Sequence, residues 1–384
     1  MIWCLCVWTV CGLLEPSWAE EPTLAEIVEA VRQNELLYER IDFTLRGKYR
    51  TFNRQPPPPP ADQGPFQSRE VLAEDWTLRV VYQPPYYRIE RPTRHVYSET
   101  ESKEMPAICA YDGEKTRFLM DQIGNVSVGF RIHTFFPTPH TLLMFEWMNA
   151  PLSAYLAGDD ALKRLPKGRR LPNDYSVQVT YQGVEVWEGL RCHRVHVVTS
   201  SGGRPGVRTE LWLAEDRNYI PARRVGYQYW ISTDLPTGGG RVVEWREVQP
   251  GIWFPAHTVE DAYFVGTLNQ QAGHDPRTPR PNWHKDIWLE SVTLNPNHDV
   301  SFFRFDFPPG TAVHELDGGE IKRSYRAGTP EEPQVRSESK VSRSPRWPRW
   351  PAAVAALLLG ALILYLIARW WRGSGRHSLA HTHE

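Results

Sequence analysis

The stretch Thr23–Arg46, TLAEIVEAVRQNELLYERIDFTLR, decides the fold class because its hydrophobic period changes partway along. Over residues 24–31 apolar side chains recur at i, i+3, i+4 and i+7, and Thr23 with Glu26 forms the capping box of a helix start. From Ile41 the period falls to two, which is the pattern of a strand with one buried face. The sequence therefore predicts an amphipathic helix that packs on a sheet.

Similar alternation continues through most of the chain. Further strands are predicted at 75–82, 86–90, 115–120, 176–181, 184–187, 193–198, 207–213, 219–230, 241–248, 252–264, 286–294 and 301–307. The short connections Gln182-Gly183 and Tyr111–Glu114 have the composition of hairpin turns. No strand–helix alternation of the βαβ kind is present, so we expect an α+β fold with a large antiparallel sheet.

Residues 140–165 interrupt the strands with the most apolar part of the domain. A helix or helix pair lying on the sheet would explain this composition, and a lid over an apolar cavity is the functional alternative. Tryptophan in strands has the same two interpretations, since it serves as core or as the wall of a ligand cavity. The residues assigned to a cavity or lid are Leu142, Phe145, Trp147, Trp187, Trp212 and Trp230.

The strand around Trp212 predicts a sheet that is used on both faces. Alternation places Trp212 on one face with Glu210, and Leu211 with Leu213 on the other. A carboxylate beside a tryptophan, opposite a leucine face, favours a cavity or a contact surface.

The two ends of the chain predict a membrane-anchored protein. Residues 1–19 are largely apolar and end in a small-x-small cleavage pattern, which predicts a signal peptide. Residues 352–368 lack charged side chains and are bracketed by arginine and tryptophan, which predicts a transmembrane helix. The segment 327–351 is then a Pro-, Ser- and Arg-rich stalk, and 369–384 a short cytoplasmic tail. We therefore expect residues 20–326 to form the extracytoplasmic domain of a single-pass inner-membrane protein.

Cysteine content and charge bound the function further. Cys109 and Cys192 remain after signal-peptide removal and could form one disulfide in an oxidising compartment, with two buried thiols as the alternative. The formal net charge is −1, so no electrostatic footprint indicates nucleic acid.

Motifs of catalysis are weak. His193 and His196 lie three apart on a predicted strand, which points them to opposite faces and prevents them from chelating one ion. The run Gly238–Gly240 lacks the ending of a P-loop and is interpreted as a turn between strands. We therefore expect a binding protein with no catalytic residue, cofactor or metal.

Three phrases resemble the LolA/LolB-like superfamily of lipoprotein carriers. They are GVEVWEGLRCHRVHV at 183–197, ELWLAEDRNYIP at 210–221 and FDFPPGTAV at 305–313. The resemblance implies a sheet curved into an open, incomplete barrel, whose apolar cavity takes a lipid or acylated ligand beneath helices that act as a lid. A related group with this fold senses lipids or misfolded envelope proteins, so an envelope protein partner is the alternative expectation.

Overall fold

The computed structural model describes residues 21–52, 71–129, 138–144, 150–164, 175–317 and 320–329, all within the unit Met1–Thr329. The described α-helices are α1 (Leu24–Leu36), α2 (Leu152–Leu156), α3 (Asp159–Arg164) and α4 (Gly266–Gln271). Three short 3₁₀ helices cover Pro139–Met144, Glu215–Arg217 and Val300–Phe303. The expected helical insertion is confirmed for the parts of 140–165 that are described.

The N-terminal helix begins as the sequence predicts. The Thr23 hydroxyl accepts from the Glu26 backbone N–H at 3.3 Å, and the Glu26 carboxylate accepts from the Thr23 backbone N–H at 2.8 Å. This reciprocal capping box satisfies two backbone donors at the start of α1. Ile27 and Val31 are buried on its apolar stripe.

The described residues form one sheet of seventeen strands. The first eight are β1 (Ile41–Thr51), β2 (Ala73–Gln83), β3 (Tyr86–Glu90), β4 (Thr93–Val96), β5 (Ser102–Met105), β6 (Ala107–Tyr111), β7 (Lys115–Met120) and β8 (Ile123–Val128). The others are β9 (Tyr175–Trp187), β10 (Leu190–Ser201), β11 (Arg204–Ala214), β12 (Ile220–Gln228), β13 (Gly238–Gln249), β14 (Ile252–Phe264), β15 (Arg280–Leu294), β16 (Ala312–Asp317) and β17 (Glu320–Arg326).

Strands β9 to β15 run as an antiparallel meander, and β15 then pairs with β1. From β1 the sheet continues through β2, β3, β6, β7 and β8 to β16 and β17, with the β4–β5 hairpin beside β2. Among the described strands no pairing joins β9 to β17, so the sheet is open and does not close into a barrel.

Three local predictions are wrong. The β8–β16 pair is parallel, so the sheet is antiparallel with one exception. Gln182-Gly183 is a bulge inside the single strand β9, because Arg194 pairs with Gly183 and the next residue pairs with Tyr181. The segment 301–307 is not a strand, since it begins within a 3₁₀ helix and continues as irregular chain.

The two faces of the sheet are packed differently. One face carries Phe43, Val195 and Leu211 and is called the inner face, because α1, α2 and the 139–144 helix pack on it. The opposite face carries Trp212 in a small cluster with Ala214 and is called the outer face. The predicted division of the strand around Trp212 into two used faces is thus confirmed.

Cys109 and Cys192 are thiols, and the disulfide considered from the sequence is not formed. They lie in separate buried clusters, Cys109 near Tyr87 with 3.4 Å between sulfur and phenol oxygen, and Cys192 beside Trp212. Burial raises the pKa of Cys192 to about 11, which keeps it as the neutral thiol.

Among the described residues, no helix combines the length and the apolar character that crossing a bilayer requires. The predicted signal peptide at 1–19, the membrane helix at 352–368 and the tail at 369–384 lie outside the described residues. So does the predicted stalk beyond Thr329.

Candidate functional site

A cavity of about 430 Å³ lies on the inner face over strands β9 to β15. Its wall combines aromatic and aliphatic side chains with hydroxyl groups from β10 and β11. The aromatic and larger aliphatic lining residues are Tyr155, Tyr175, Val207, Trp230, Ile231, Tyr263, Leu268 and Trp283. This volume falls within the roughly 300–1,000 Å³ that small-molecule sites occupy.

Small residues from four adjacent strands make the floor. Cross-strand pairing joins Thr209 to Gly226, Gly226 to Gly238, and Gly238 to Ala262, so the four side chains form one row on the inner face. The next partner in the row is Trp283, which forms one wall. The cavity lies over this row, and because Gly226 lacks a side chain the Arg224 guanidinium lies above it, with Nη1 3.4 Å from the position of a Cβ.

A second row on the same face, two residues along each strand from the first, contains charged side chains. Pairing joins Arg224 to Gly240, Gly240 to Glu260, and Glu260 to Lys285. A Cβ on Gly240 would lie 2.9 Å from the Glu260 Cγ and 3.2 Å from a methyl group of Leu143. The bare backbone of Gly240 therefore lets Arg224 and Glu260 approach each other under the 139–144 helix.

The charges in this row are loosely paired. The Lys285 Nζ and the Arg224 guanidinium lie 3.5 and 3.9 Å from the same Glu260 oxygen, Oε2. Glu260 is 3% exposed, and within the described residues its Oε1 has no hydrogen-bond partner. The Arg224 Nε is also buried without one. A buried polar atom without a partner costs free energy. A polar group that entered the cavity and bound these atoms would recover that cost.

The opposite end of the cavity is open and aromatic. Trp230 is 59% exposed and lies over Gly206, with 3.8 Å between a ring carbon and the position of a Cβ on that glycine. Trp283 stacks at a tilt on Tyr49, with ring centroids 5.7 Å apart. The cavity thus runs from an aromatic mouth to a buried charged end.

Helix α2 covers one side, and Glu35 of α1 holds it. The Glu35 carboxylate accepts from the Leu152 backbone N–H at 2.6 Å and also from the Ser153 hydroxyl. Burial raises the pKa of Glu35, although the hydrogen bonds from Ser153 and Leu152 act in the opposite direction. This anchor fixes Tyr155, which lines the cavity.

The 139–144 helix is fixed by His140. Its Nε2 donates to the Asn218 carbonyl at 2.8 Å, and its ring lies edge-on to Tyr38. Burial lowers the pKa of His140 to about 4, against the raising effect of the hydrogen bond to Asn218. The ring is therefore neutral near pH 7. Asn218 also accepts from the Trp253 N–H at 2.7 Å, so it ties three segments together.

The residues that the sequence assigned to a cavity are divided by the structure. Trp230 lines the cavity, whereas Leu142 is buried in the core beside Phe254. Trp187 and Trp212 lie on the outer face and are not among the residues that line this cavity. Phe145 and Trp147 lie outside the described residues.

Trp187 and Trp212 are part of a cation–π stack. The Arg223 guanidinium lies 4.0 Å from the Trp187 ring centroid and 4.5 Å from that of Trp212. Arg194 covers Trp212 at 5.0 Å, and the Trp212 indole donates to Glu185 at 3.0 Å. Strand alternation alone could not place them, because it shows which residues share a face but not which face is covered.

The two histidines of β10 do lie on opposite faces. His193 is on the inner face and stacks on Tyr219, with ring centroids 5.5 Å apart, whereas His196 lies near Glu210 on the outer face. In the part of the chain that is described, no group of three or more His, Cys, Asp or Glu side chains could hold a metal ion.

The sequence interpretation missed the charged row. The glycines 238–240 are not a turn but the first residues of β13. Glu260 shares its strand face with the buried Thr258, and Lys285 shares its face with Ile287 and Leu289. A charged residue at a buried strand position was the available signal in both strands.

No protein-family model matches this chain, and no curated protein matches it. Among solved structures, the chain is similar to a DUF1329 family protein from Desulfovibrio piger, with a TM-score of 0.35 and 10% sequence identity. It is also similar to a LolA superfamily protein from Nitrosomonas europaea, with a TM-score of 0.35 and 8% identity. Each alignment covers 73% of this chain and 97% of the other. The superfamily that the sequence resembles is therefore among those to which this chain is similar.

Proposed function

We propose that the domain binds a lipid or another acylated amphipathic ligand in the inner-face cavity and does no chemistry on it. The observation that carries this proposal is the row from Thr209 to Ala262, whose small side chains leave an open space inside a sheet that is otherwise packed. Protein interiors are close-packed and contain few voids, so an open space of this size indicates a binding site.

The distribution of polarity supports an amphipathic ligand. The mouth presents Trp230, Ile231 and Leu268, and the buried end presents Arg224 and Glu260. Aromatic and aliphatic walls with a few placed polar groups are typical of sites that bind a largely apolar molecule in one orientation.

The lining supports binding without catalysis. The described lining includes no histidine and no cysteine, the side chains that most often act as general base or nucleophile. Its two acidic residues already have basic partners, Glu260 with Lys285 and Arg224, and Asp261 with His284.

The chain ends supply the proposed setting. We propose that residues 1–19 direct export and that 352–368 anchor the domain in the inner membrane, with the cavity on the extracytoplasmic side. A domain tethered in this way would take up its ligand at a membrane surface, where acylated molecules are concentrated.

The test is native mass spectrometry of the purified full chain after incubation with lipids extracted from a bacterial envelope. We expect a stoichiometric adduct of lipid mass that disappears on denaturation. Ala262→Phe places a ring in the small-residue row and should abolish the adduct. Val186→Phe, at a site that is 70% exposed, should retain it. A clean unliganded mass for the native chain, or an adduct that Ala262→Phe retains in full, would overturn the proposal.

A further inference from the structure

The chemistry of the ligand head group can be read from the charged row. We infer that the cavity takes an amphiphile with an anionic head group, a carboxylate or a phosphate, which binds the Arg224 guanidinium at the buried end. This inference rests on the proposed function and adds the class of ligand.

Arg224 has the geometry of an unfilled anion site. Its guanidinium lines the cavity, its Nε is buried without a hydrogen-bond partner in the described residues, and its nearest carboxylate oxygen is 3.9 Å away. A guanidinium presents donors in a planar fork that matches a carboxylate or a phosphate in bidentate fashion. A partner at 3.9 Å is beyond hydrogen-bonding distance and leaves that fork unused.

The balance of charge in the row selects the sign of the ligand. Of the charged residues that line the cavity, Glu260 contacts Lys285 and Asp261 contacts His284, whereas Arg224 has its nearest carboxylate oxygen only at 3.9 Å. Glu260 is held from one side by Lys285, at 3.5 Å. A cationic head group would be repelled by Arg224, whereas an anion would supply the close partner that Arg224 lacks.

The unpaired oxygen of Glu260 adds a second feature. Its Oε1 has no partner among the described residues, and the side chain is almost fully buried at the cavity wall. A hydroxyl or amide N–H next to the anionic group would satisfy this acceptor. The head group that fits best therefore combines an anion with a neutral hydrogen-bond donor.

Ligand orientation follows from the same geometry. The Arg224 guanidinium lies over Gly226, where a Cβ would be 3.4 Å from its Nη1, so the anion binds above this glycine and the apolar chain extends toward the mouth at Trp230.

The experiment measures dissociation constants of the purified full chain for four probes with the same alkyl chain. They are tetradecanoate, tetradecyl phosphate, tetradecanol and tetradecyltrimethylammonium. We expect the two anions to bind about tenfold or more tightly than tetradecanol, since a charge-assisted bidentate contact is worth at least that factor. The ammonium probe should bind most weakly, and the ratio of the two anions identifies carboxylate or phosphate as the preferred group.

Variants localise the effect. Arg224→Met should weaken both anions about tenfold and leave tetradecanol unchanged, and Arg224→Lys should recover part of the loss. Glu260→Gln should tighten both anions, because it removes the neighbouring negative charge. Arg241→Met is the control. It removes a half-exposed arginine that lies opposite Arg223 in the strand register, on the outer face, and forms an ion pair with Glu188.

The failures of the two proposals are distinguishable. Equal affinity for the anions and tetradecanol, tighter binding of the ammonium probe, or anion affinities that neither Arg224→Met nor Glu260→Gln changes would overturn the head-group inference and leave the cavity proposal intact. If none of the four probes binds, the proposed function fails and the inference fails with it. Thermal unfolding of each variant checks that the fold is retained.

Discussion

Two buried glutamates on opposite faces of the same sheet have different surroundings. Glu210 on the outer face is 5% exposed, and its carboxylate lies 2.9 Å from Arg194, 3.5 Å from Arg208 and 3.6 Å from His196. Glu260 on the inner face is 3% exposed, and its two cations lie 3.5 and 3.9 Å away on one oxygen.

The cations around the two glutamates differ as well. Arg194 stacks on Trp212 and Arg208 lies 3.9 Å from the Tyr227 ring centroid, so both outer-face arginines are held on an aromatic ring. On the inner face, Arg224 and Glu260 line the cavity. The comparison teaches that burial of a charge does not by itself mark a functional site, since the distance and the number of its partners separate a structural network from one that is open to a ligand.

The largest expected effect separates the two carboxylates by stability. Glu210→Gln should lower the free energy of unfolding by about 3 kcal/mol, because it leaves Arg194 and Arg208 without their shared anion in a partly buried site. Glu260→Gln should lower it by less than Glu210→Gln does, because the amide oxygen of glutamine can still accept from Lys285 and the contact to Arg224 that is lost is long. Urea denaturation of both variants, with the exposed Glu320→Gln as control, measures the difference. Equal losses for the two buried sites would remove the distinction on which the comparison rests.

The second prediction concerns the cover above Glu260. The folded-state pKa of His140 is lowered to about 4, so between that value and about 6.5 the unfolded chain binds a proton that the folded chain does not. Stability should therefore fall as the pH falls, by about 2 kcal/mol between pH 7 and pH 5. His140→Gln should remove that part of the pH dependence, whereas the exposed His274→Gln should retain it. An unchanged slope in His140→Gln would show that the ring titrates freely and does not hold the 139–144 helix.

Much of the fold follows from local sequence. The capping box at Thr23 and the strands β3, β7 and β14 have the predicted bounds, because a cap or a period of two depends on residues that are neighbours along the chain. The shared face of Glu210 and Trp212 follows from alternation in the same way.

The cavity does not follow from local sequence. Its floor exists because Gly226, Gly238 and Ala262, from three strands, fall in one row, and that register depends on the bulges and pairings of the whole meander. Tryptophan was therefore the wrong guide, since Trp187 and Trp212 mark the face that arginines cover. Glycine within a strand, paired with glycine on its neighbour, is the more direct sign of open space.

The smallest expected effect concerns His284 of β15, which lies on the outer face beside β14, the strand that carries Glu260. His284 contacts Asp261 at 2.8 Å and Asp286 at 2.9 Å through its two ring nitrogens. Burial opposes the charged ring, but the hydrogen bonds and charges of Asp261 and Asp286 outweigh it and raise the pKa of His284. Its titration therefore has the opposite sign to that of His140: the stabilisation is complete below about pH 6.5 and is lost as the pH rises through the raised value.

Because these groups are partly exposed, the His284 contribution should be below about 1 kcal/mol. Between pH 6 and pH 9, His284→Gln should flatten the decline in stability that the native chain shows. An NMR titration that gave a His284 pKa at or below 6.5 would contradict this expectation. A measured pKa above 6.5 would show that the ion pairs of His284 stabilise the outer face. These pairs lie close to the cavity wall, since Asp261 directly follows Glu260 in β14.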